Sequence, residues 1–215
     1  FVITDAINNN QPDMATWDNW RTAAGAGHEI GSHTKGHPYL TTLPTDQMRE
    51  EILGSKAEID TRISSQKTLS FAYPYGDMND NVKNVTTGAY LVARGTTWGL
   101  NATPLDQYNL KAYFITDDTG KPLESQVDLA VSSGQWLVAG FHGLDGTDNG
   151  AVTEARFRQF IDYVKTKSIW VGTMGAVAKY AEEREHATLS VMSATGDGLV
   201  LSLSDGLDDD NYNEP

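Results

Sequence analysis

The chain has 215 residues and carries 29 acidic against 16 basic side chains, which gives a formal net charge of −13. This length suits one domain with a full hydrophobic core, and the strong negative charge repels phosphate backbones, which argues against a nucleic-acid partner. Cysteine is absent, which rules out disulfide bonds and thiolate metal sites, and no apolar run is long enough to span a membrane.

Short apolar runs at six places predict β-strands. In chain order they are FVIT (1–4), HEIGSH (28–33), LSFAYPYG (69–76), AYLVARG (89–95), QWLVAGFHG (135–143) and SIWVGTM (168–174). Helical patterns lie between several of these runs. Strand and helix in turn predict an α/β fold of parallel strands with crossover helices, either a barrel or a doubly wound sheet.

Three threonines are placed to cap helices, because a threonine before a periodic apolar stretch can bond the free N–H groups of the first turn. They are Thr16, Thr45 and Thr153. The second of these helices has apolar residues at helical spacing, which predicts a buried stripe. The stripe consists of Met48, Ile52, Ile59 and Ile63.

Residues 187–215 follow a different pattern. ATLSVMS and LVLSLSD alternate apolar and polar residues around ATGDG, which predicts a β-hairpin. We therefore expect two units, a domain over 1–186 and the start of an appended β-rich segment over 187–215. The terminal run DGLDDDNYNEP is interpreted as a solvated acidic face, with calcium binding as the alternative.

Polar and aromatic residues follow three of the predicted strands. His33 ends HEIGSH, Tyr75 lies near the end of LSFAYPYG and His142 lies near the end of QWLVAGFHG. Sites in parallel α/β folds form at the carboxyl ends of strands, so we expect these three residues to meet at one edge of the sheet.

The first histidine has a partner four residues on, His37, which is followed by Pro38. The proline disfavours a helix at His37, so the pair is expected on a turn or loop from which two imidazoles can reach one cation. A third ligand would be a carboxylate or another histidine. The alternative is a pair of exposed loop histidines.

The other two residues carry open alternatives as well. His142 is either a proton donor or a loop histidine satisfied by hydrogen bonds. The turn Tyr73–Gly76 could aim a backbone N–H at a developing oxyanion, or it could be ordinary turn chemistry with two packed aromatic rings.

The segments HEIGSHTKGHPYL, FAYPYG and WLVAGFHG, in this order, resemble the polysaccharide deacetylases of carbohydrate esterase family four over roughly residues 1–182. The resemblance implies a distorted (β/α) barrel and a divalent metal ion, usually zinc, bound by His33 and His37. It implies that the Tyr75 backbone N–H helps to hold the oxyanion and that His142 is the general acid. The implied reaction is hydrolysis of acetyl groups from a polysaccharide by metal-activated water.

Some positions depart from the family pattern. FVITDAIN resembles the family's second strand, so the first strand, with the aspartates that serve as third ligand and base, is expected upstream of Phe1. Asp5 is a weak substitute for them. The family's arginine before the Pro-Tyr turn is Ala72 here, and Asp106 and Asp118 are weak candidates for orienting the acid histidine.

The resemblance implies an acetylated substrate such as xylan, a chitin-type glycan or peptidoglycan, and a secreted or periplasmic location. A barrel that lacks its first strand leaves open sheet edges, which invite pairing with another chain. One alternative is a noncatalytic carbohydrate-binding protein that has lost the aspartate pair. Another metal hydrolase on the same barrel, such as an amidase, is a third possibility.

Overall fold

The computed structural model describes residues 1–115, 123–146, 150–196, 198–208 and 212. The α-helices in this part of the chain are α1 Thr4–Asn8, α2 Trp17–Gly25, α3 Thr45–Arg49, α4 Ser55–Arg62, α5 Asp80–Thr87, α6 Leu123–Ser133, α7 Glu154–Lys165 and α8 Met174–His186. Within the described ranges, no helix combines the length and the apolar character that a bilayer crossing requires.

The strands are β1 Ser70–Ala72, β2 Val92–Arg94, β3 Tyr113–Ile115, β4 Ala139–Phe141, β5 Thr188–Thr195 and β6 Gly198–Ser204. β1 pairs with β2, and β3 pairs with β4, both in parallel. Single parallel bridges extend the first pair on both sides: Val2 to Ser32, Ser32 to Phe71, and Arg94 to Leu110. Chain order and spatial order therefore agree along this array, as crossover connections require.

The predicted α/β class, with parallel strands and intervening helices, is confirmed. The predicted barrel is not confirmed, since no pairing among the described residues joins β4 back to the segment at Val2 and closes the sheet. The strand predicted at 168–174 is wrong. Trp170 and Val171 there are 56% and 69% exposed, so these apolar residues bury too little surface to hold a strand, and the segment leads into α8, capped by Thr173.

Two of the three predicted caps are confirmed. Thr16 accepts the Asn19 N–H at the start of α2, and the Asn19 side chain accepts the Thr16 N–H in return. Thr153 accepts the Arg156 N–H at the start of α7. The prediction for Thr45 is wrong by one position, because Pro44 occupies the cap and Thr45 is already the first helical residue.

A π-helical turn over Glu50–Gly54 joins α3 to α4. The predicted stripe along this long helix is confirmed, since its members are at most 3% exposed: Met48, Ile52, Ile59 and Ile63. Met48 and Ile52 pack with Phe71 of β1 in one core cluster, whereas Ile59 and Ile63 pack with the first segment of the chain in another. The hydroxyl of Tyr90 donates to the carbonyl oxygen of Ile52 inside the π-turn, at 2.7 Å.

The predicted hairpin is confirmed: β5 and β6 pair antiparallel, with an irregularity between Val191 and Ser193. One face carries apolar side chains that are 46–71% exposed, namely Leu189, Val191, Leu199, Leu201 and Leu203. α8 ends at His186, and one residue separates it from β5. The division into 1–186 and 187–215 stays a prediction, and most of the acidic run lies outside the described residues.

Glu124 of α6 and Arg156 of α7 form a bidentate ion pair, with N–O distances of 2.7 and 2.9 Å. The guanidinium holds the pKa of Glu124 below its ordinary value. We expect Glu124→Gln to lower the free energy of unfolding by about 1 kcal/mol at pH 7, the upper end for accessible pairs. A carboxylate with a lowered pKa stabilises the fold above its unfolded pKa, so the difference should vanish as the pH falls through the lowered value.

Urea unfolding of both proteins at pH 7 and at pH 3 measures this difference. The matched control is Asp162→Asn, which breaks an exposed pair with Lys165 (3.3 Å) and should change stability less. A Glu124→Gln effect that grows on acidification would contradict the assignment.

Candidate active site

The two histidines of the predicted metal pair lie on a tight loop that follows the bridge at Ser32. Thr34 and His37 both have positive φ, 67° and 62°, so the chain turns sharply between them. The buried Thr34 side chain accepts the backbone N–H of His37 at 2.9 Å. This local bond stabilises a conformation that side chains of this type otherwise disfavour.

Glu51 in the π-turn supports the same loop from outside. One of its carboxylate oxygens accepts the backbone N–H groups of Lys35 and Gly36, at 3.0 and 2.8 Å. Lys35 in turn pairs with Glu50 at 2.7 Å. The loop between the histidines is therefore held by the helix that follows it, which sequence reasoning did not predict.

The imidazoles of His33 and His37 face each other, with their Nε2 atoms 3.0 Å apart. The Nδ1 atom of His33 lies 2.7 Å from the carbonyl oxygen of Ala72, so it is the protonated nitrogen and donates. The Nε2 atom of His33 therefore keeps its lone pair. This is the tautomer arrangement that a metal-binding histidine requires.

The protonation of both rings suits metal binding as well. Burial lowers the pKa of His33 to about 3, and the positive charges of Arg94 and His37 act in the same direction. Burial also lowers the pKa of His37, and a charge on His142 lowers it further. Both imidazoles are thus neutral near pH 7, as ligands must be.

Tyr75 meets this pair on the predicted turn. Its ring centroid lies 4.6 Å from that of His37, and its ring stacks on Tyr39 at 4.1 Å. Tyr75 has a φ of 59°, and its backbone N–H donates to no acceptor among the described residues. Gly76 also has positive φ, and a Cβ there would come within 2.2 Å of the Thr96 hydroxyl. This position of the turn therefore requires glycine.

His142 follows β4 at the same edge of the parallel array. Its ring is exposed and makes an edge contact with Phe114, with centroids 6.1 Å apart. A charge on His142 lowers the pKa of His37. The structure therefore brings His33, His37 and Tyr75 into contact and places His142 after β4, at the same edge of the parallel array. The chemical role of each stays a prediction.

The described residues fit a metal ion in part. They provide two neutral imidazoles, but no group of three His, Cys, Asp or Glu side chains among them could hold an ion. Asp5 lies in α1 and forms no such group with the two histidines. Asp106 pairs with Lys83 at 2.8 Å on the surface, and Asp118 lies outside the described residues.

Sequence reasoning missed Arg94, which ends β2 as the cross-strand neighbour of Ala72. Its guanidinium carbon lies 4.8 Å from the ring centroid of Phe114 and 5.2 Å from that of Phe1. Burial lowers the pKa of Arg94 to about 10, so it remains charged at neutral pH. The available signal was a charged residue at the end of an otherwise apolar strand.

Comparisons with known proteins find a family model and relatives that resemble part of this chain. The family model described as "Polysaccharide deacetylase" matches residues 1–91. A gellan lyase from Bacillus sp. is 26% identical over 245 residues, an alignment that covers 100% of this chain and 9% of that protein. Chitin deacetylase 3 from Cryptococcus neoformans var. neoformans serotype D is 29% identical over 107 residues, which is 46% of this chain and 26% of the relative.

A solved structure agrees at the level of fold. A carbohydrate esterase family four pseudoenzyme from Bacillus anthracis superposes with a TM-score of 0.51 and 15% identity, covering 81% of this chain and 53% of that one. The chain thus spans only a small part of the curated relatives and about half of this structure. The resemblance seen in the sequence motifs is confirmed, since residues 1–91 match the polysaccharide deacetylase family model and a chitin deacetylase is similar over 107 residues.

Proposed function

We propose that the protein hydrolyses acetyl groups from a polysaccharide with the help of a divalent metal ion. The observation that supports this most is the pair of neutral imidazoles, His33 and His37, with Nε2 atoms 3.0 Å apart inside the part of the chain that matches the deacetylase family. Two such nitrogens are suitable ligands for zinc, although imidazole also suits neighbouring transition metals.

The two histidines would hold the ion, and a third ligand would come from outside the described residues. When bound, the ion supplies Lewis-acid activation of the acetyl carbonyl and of water. The contribution of His33 is a fixed tautomer, because Ala72 accepts its Nδ1–H. The contribution of His37 is a fixed position, because the Glu51 carboxylate accepts the backbone N–H groups of Lys35 and Gly36 in the same loop.

Tyr75 and His142 would act on the acetyl group directly. The unpaired N–H of Tyr75 can donate to the oxygen that becomes negative in the tetrahedral intermediate, a kind of interaction that often gives the largest single contribution to such catalysis. His142 can give a proton to the leaving sugar oxygen or nitrogen, and its exposure leaves room for a polymer to approach.

The surroundings of the pair suit a sugar chain. Tyr39 and Tyr75 are stacked beside the histidines and are 54% and 52% exposed, which offers an aromatic surface on which a pyranose ring can rest. Acetylated xylan, chitin-type glycan and peptidoglycan are the proposed substrates. These polymers lie outside the cytoplasm, so a secreted or periplasmic location belongs to the same proposal.

The test is acetate release by the full-length protein from acetylated xylan and from chitin oligomers. We expect release that a metal chelator stops and added zinc restores. Release from no acetylated glycan under any metal would refute the proposed function. Release from acylated amides alone would point to the amidase alternative.

A second candidate is a noncatalytic carbohydrate-binding protein. The observation that favours it is the lack of a third metal-binding side chain near His33 and His37 within the described residues. Glycan binding without acetate release, in a preparation with its natural N-terminus, would support this candidate. Metal-dependent turnover in the same preparation would eliminate it.

A further inference from the structure

The stacked rings of Tyr39 and Tyr75 belong to two different loops. Tyr75 lies on the turn after β1, and Tyr39 directly precedes a short 3₁₀ turn over Leu40–Thr42. The two ring planes are 13° apart and the centroids are 4.1 Å apart. Both residues are more than half exposed, so the stack buries little surface and gains only modest free energy by itself. Other contacts must hold the two loops together.

Asp77 joins these two loops. One of its carboxylate oxygens accepts the backbone N–H of Thr41 at 2.8 Å, and the other accepts the Thr41 hydroxyl at 2.8 Å. Hydrogen bonds to an ionised acceptor are stronger than those between neutral groups, and a pair of them also fixes the orientation of the two partners. The Asp77 carboxylate therefore connects the turn that carries Tyr75 to the loop that carries Tyr39.

The turn that carries Tyr75 does not depend on this carboxylate. Its backbone is closed by two bonds of its own, from the N–H of Gly76 to the carbonyl oxygen of Tyr73 at 3.0 Å and from the N–H of Asp77 to that of Pro74 at 2.9 Å. These bonds use main-chain atoms that a different side chain at position 77 would leave in place. The Tyr75 N–H, the proposed oxyanion donor, should therefore keep its position when the Asp77 carboxylate is removed.

The loop that carries Tyr39 depends on the carboxylate more strongly. Leu40 anchors this loop in the hydrophobic core, where it is 1% exposed. An apolar contact has no preferred direction, so it fixes the position of the loop more than its orientation. The bonds from Thr41 to Asp77 are directional, and they supply the second attachment that orients the Tyr39 ring.

The position of Tyr39 connects this attachment to substrate choice. His37 contacts His33 on one side and Tyr75 on the other, with ring centroids 4.5 and 4.6 Å apart, and Tyr75 in turn stacks on Tyr39. Tyr39 is the last ring in this series, where it can support a sugar unit next to the reacting one. We propose that Asp77 is a positioning residue that keeps Tyr39 stacked on Tyr75, and that the stack makes the site selective for a glycan over a small acetyl ester. The selectivity rests on the proposed function, whereas the placement of Tyr39 by Asp77 does not.

The first measurement is the position of the rings. Crystal structures of the full-length protein, of Asp77→Ala and of Asp77→Asn give the distance between the Tyr39 and Tyr75 rings. We expect Asp77→Ala to lose the stack. Asp77→Asn should keep it, because an amide of the same shape can accept the Thr41 N–H and also bond the hydroxyl. The matched control is Asp80→Ala, which removes an exposed carboxylate at the start of α5. A stack that persists in Asp77→Ala would overturn the proposal.

The second measurement is substrate selectivity. It compares kcat/KM for chitin oligomers and acetylated xylan with kcat/KM for an aryl acetate, which has no sugar to rest on Tyr39. We expect Asp77→Ala to lower the ratio of glycan to aryl acetate by at least about tenfold, mainly through a higher KM for the glycan. Asp77→Asn should bring the ratio back close to the wild-type value. An equal loss on both kinds of substrate would overturn the role of the stack in selectivity.

Thr41→Val keeps the proposal testable if Asp77→Ala does not fold. It removes the hydroxyl bond from an exposed residue and leaves the backbone N–H in place, so it should disturb the stack and the ratio in the same direction but less. Wild-type ring geometry and selectivity in Thr41→Val would then count against the proposal. A wild-type protein that releases acetate from no glycan would refute the proposed function, and the ring positions would still decide whether Asp77 places Tyr39.

Discussion

Replacing His33 with alanine is expected to remove zinc binding at the candidate site and to lower acetate release by more than about 100-fold, which exceeds the usual loss for a partner that only orients a metal ligand. The physical reason is that the Nε2 atom of His33 lies 3.0 Å from that of His37, so both imidazoles can reach one ion, and removing His33 takes away one of the two ligands. Zinc affinity is measured by competition with a chromophoric chelator, and acetate release is measured on the same samples.

Loss of the His33 ring also leaves the Ala72 carbonyl oxygen without its donor, so the variant could lose stability as well as metal. His37→Ala separates these effects, because it removes the other imidazole and leaves the bond to Ala72 intact. The control is His28→Ala, an exposed histidine at the start of the segment that reaches Ser32. Unchanged zinc affinity in both His33→Ala and His37→Ala would exclude this pair as the metal site.

His142→Ala is expected to lower turnover of an acetylated glycan by about 10²- to 10⁴-fold, the usual contribution of a general acid. Zinc affinity should not change, because His142 follows β4 and the metal pair lies on the loop after Ser32. The control is His186→Ala, at the exposed end of α8.

Assaying a second substrate distinguishes loss of proton donation by His142 from a general loss of activity. An aryl acetate has a leaving group that departs without protonation, so His142→Ala should hydrolyse it at nearly the wild-type rate. An equal loss on the aryl ester and on the glycan would contradict the role of His142 as the acid. It would indicate instead that the residue shapes the site.

The parts of the fold that depend on local sequence patterns could be predicted from the sequence. Alternation of strand and helix predicted the parallel array, and threonine caps fixed the starts of α2 and α7. The segment 168–174 has the composition of a strand but is not one, because pairing and burial are set by neighbours that composition does not reveal. β3 at Tyr113–Ile115 was missed, since a short apolar run of this kind is ambiguous from sequence alone.

In the candidate site, too, the features that depend on local sequence could be predicted and those that depend on distant contacts could not. The spacing of His33 and His37, and the turn at Tyr75, are local signals, and the rule that parallel strands end at one edge placed His142 at the same edge of the sheet. Glu51 and Arg94 could not be found in this way. Their contacts join residues that are 15 or more positions apart, and only the folded chain shows that one holds a loop and the other packs against Phe114.

The π-turn over Glu50–Gly54 makes the length of this stretch of chain critical. Each residue of a helix advances the side chains by about 100°, so deleting one residue here would turn the helix before the turn relative to the helix after it. Met48 and Ile59 are both buried now, and Glu51 reaches the histidine loop. After such a deletion, the burial of Met48 and Ile59 and the hydrogen bonds from the histidine loop to Glu51 could not all be kept. Insertions and deletions that homologous proteins tolerate should therefore fall outside this turn. The wider π-helical turn is what lets Glu51 bond to the loop that carries the histidines.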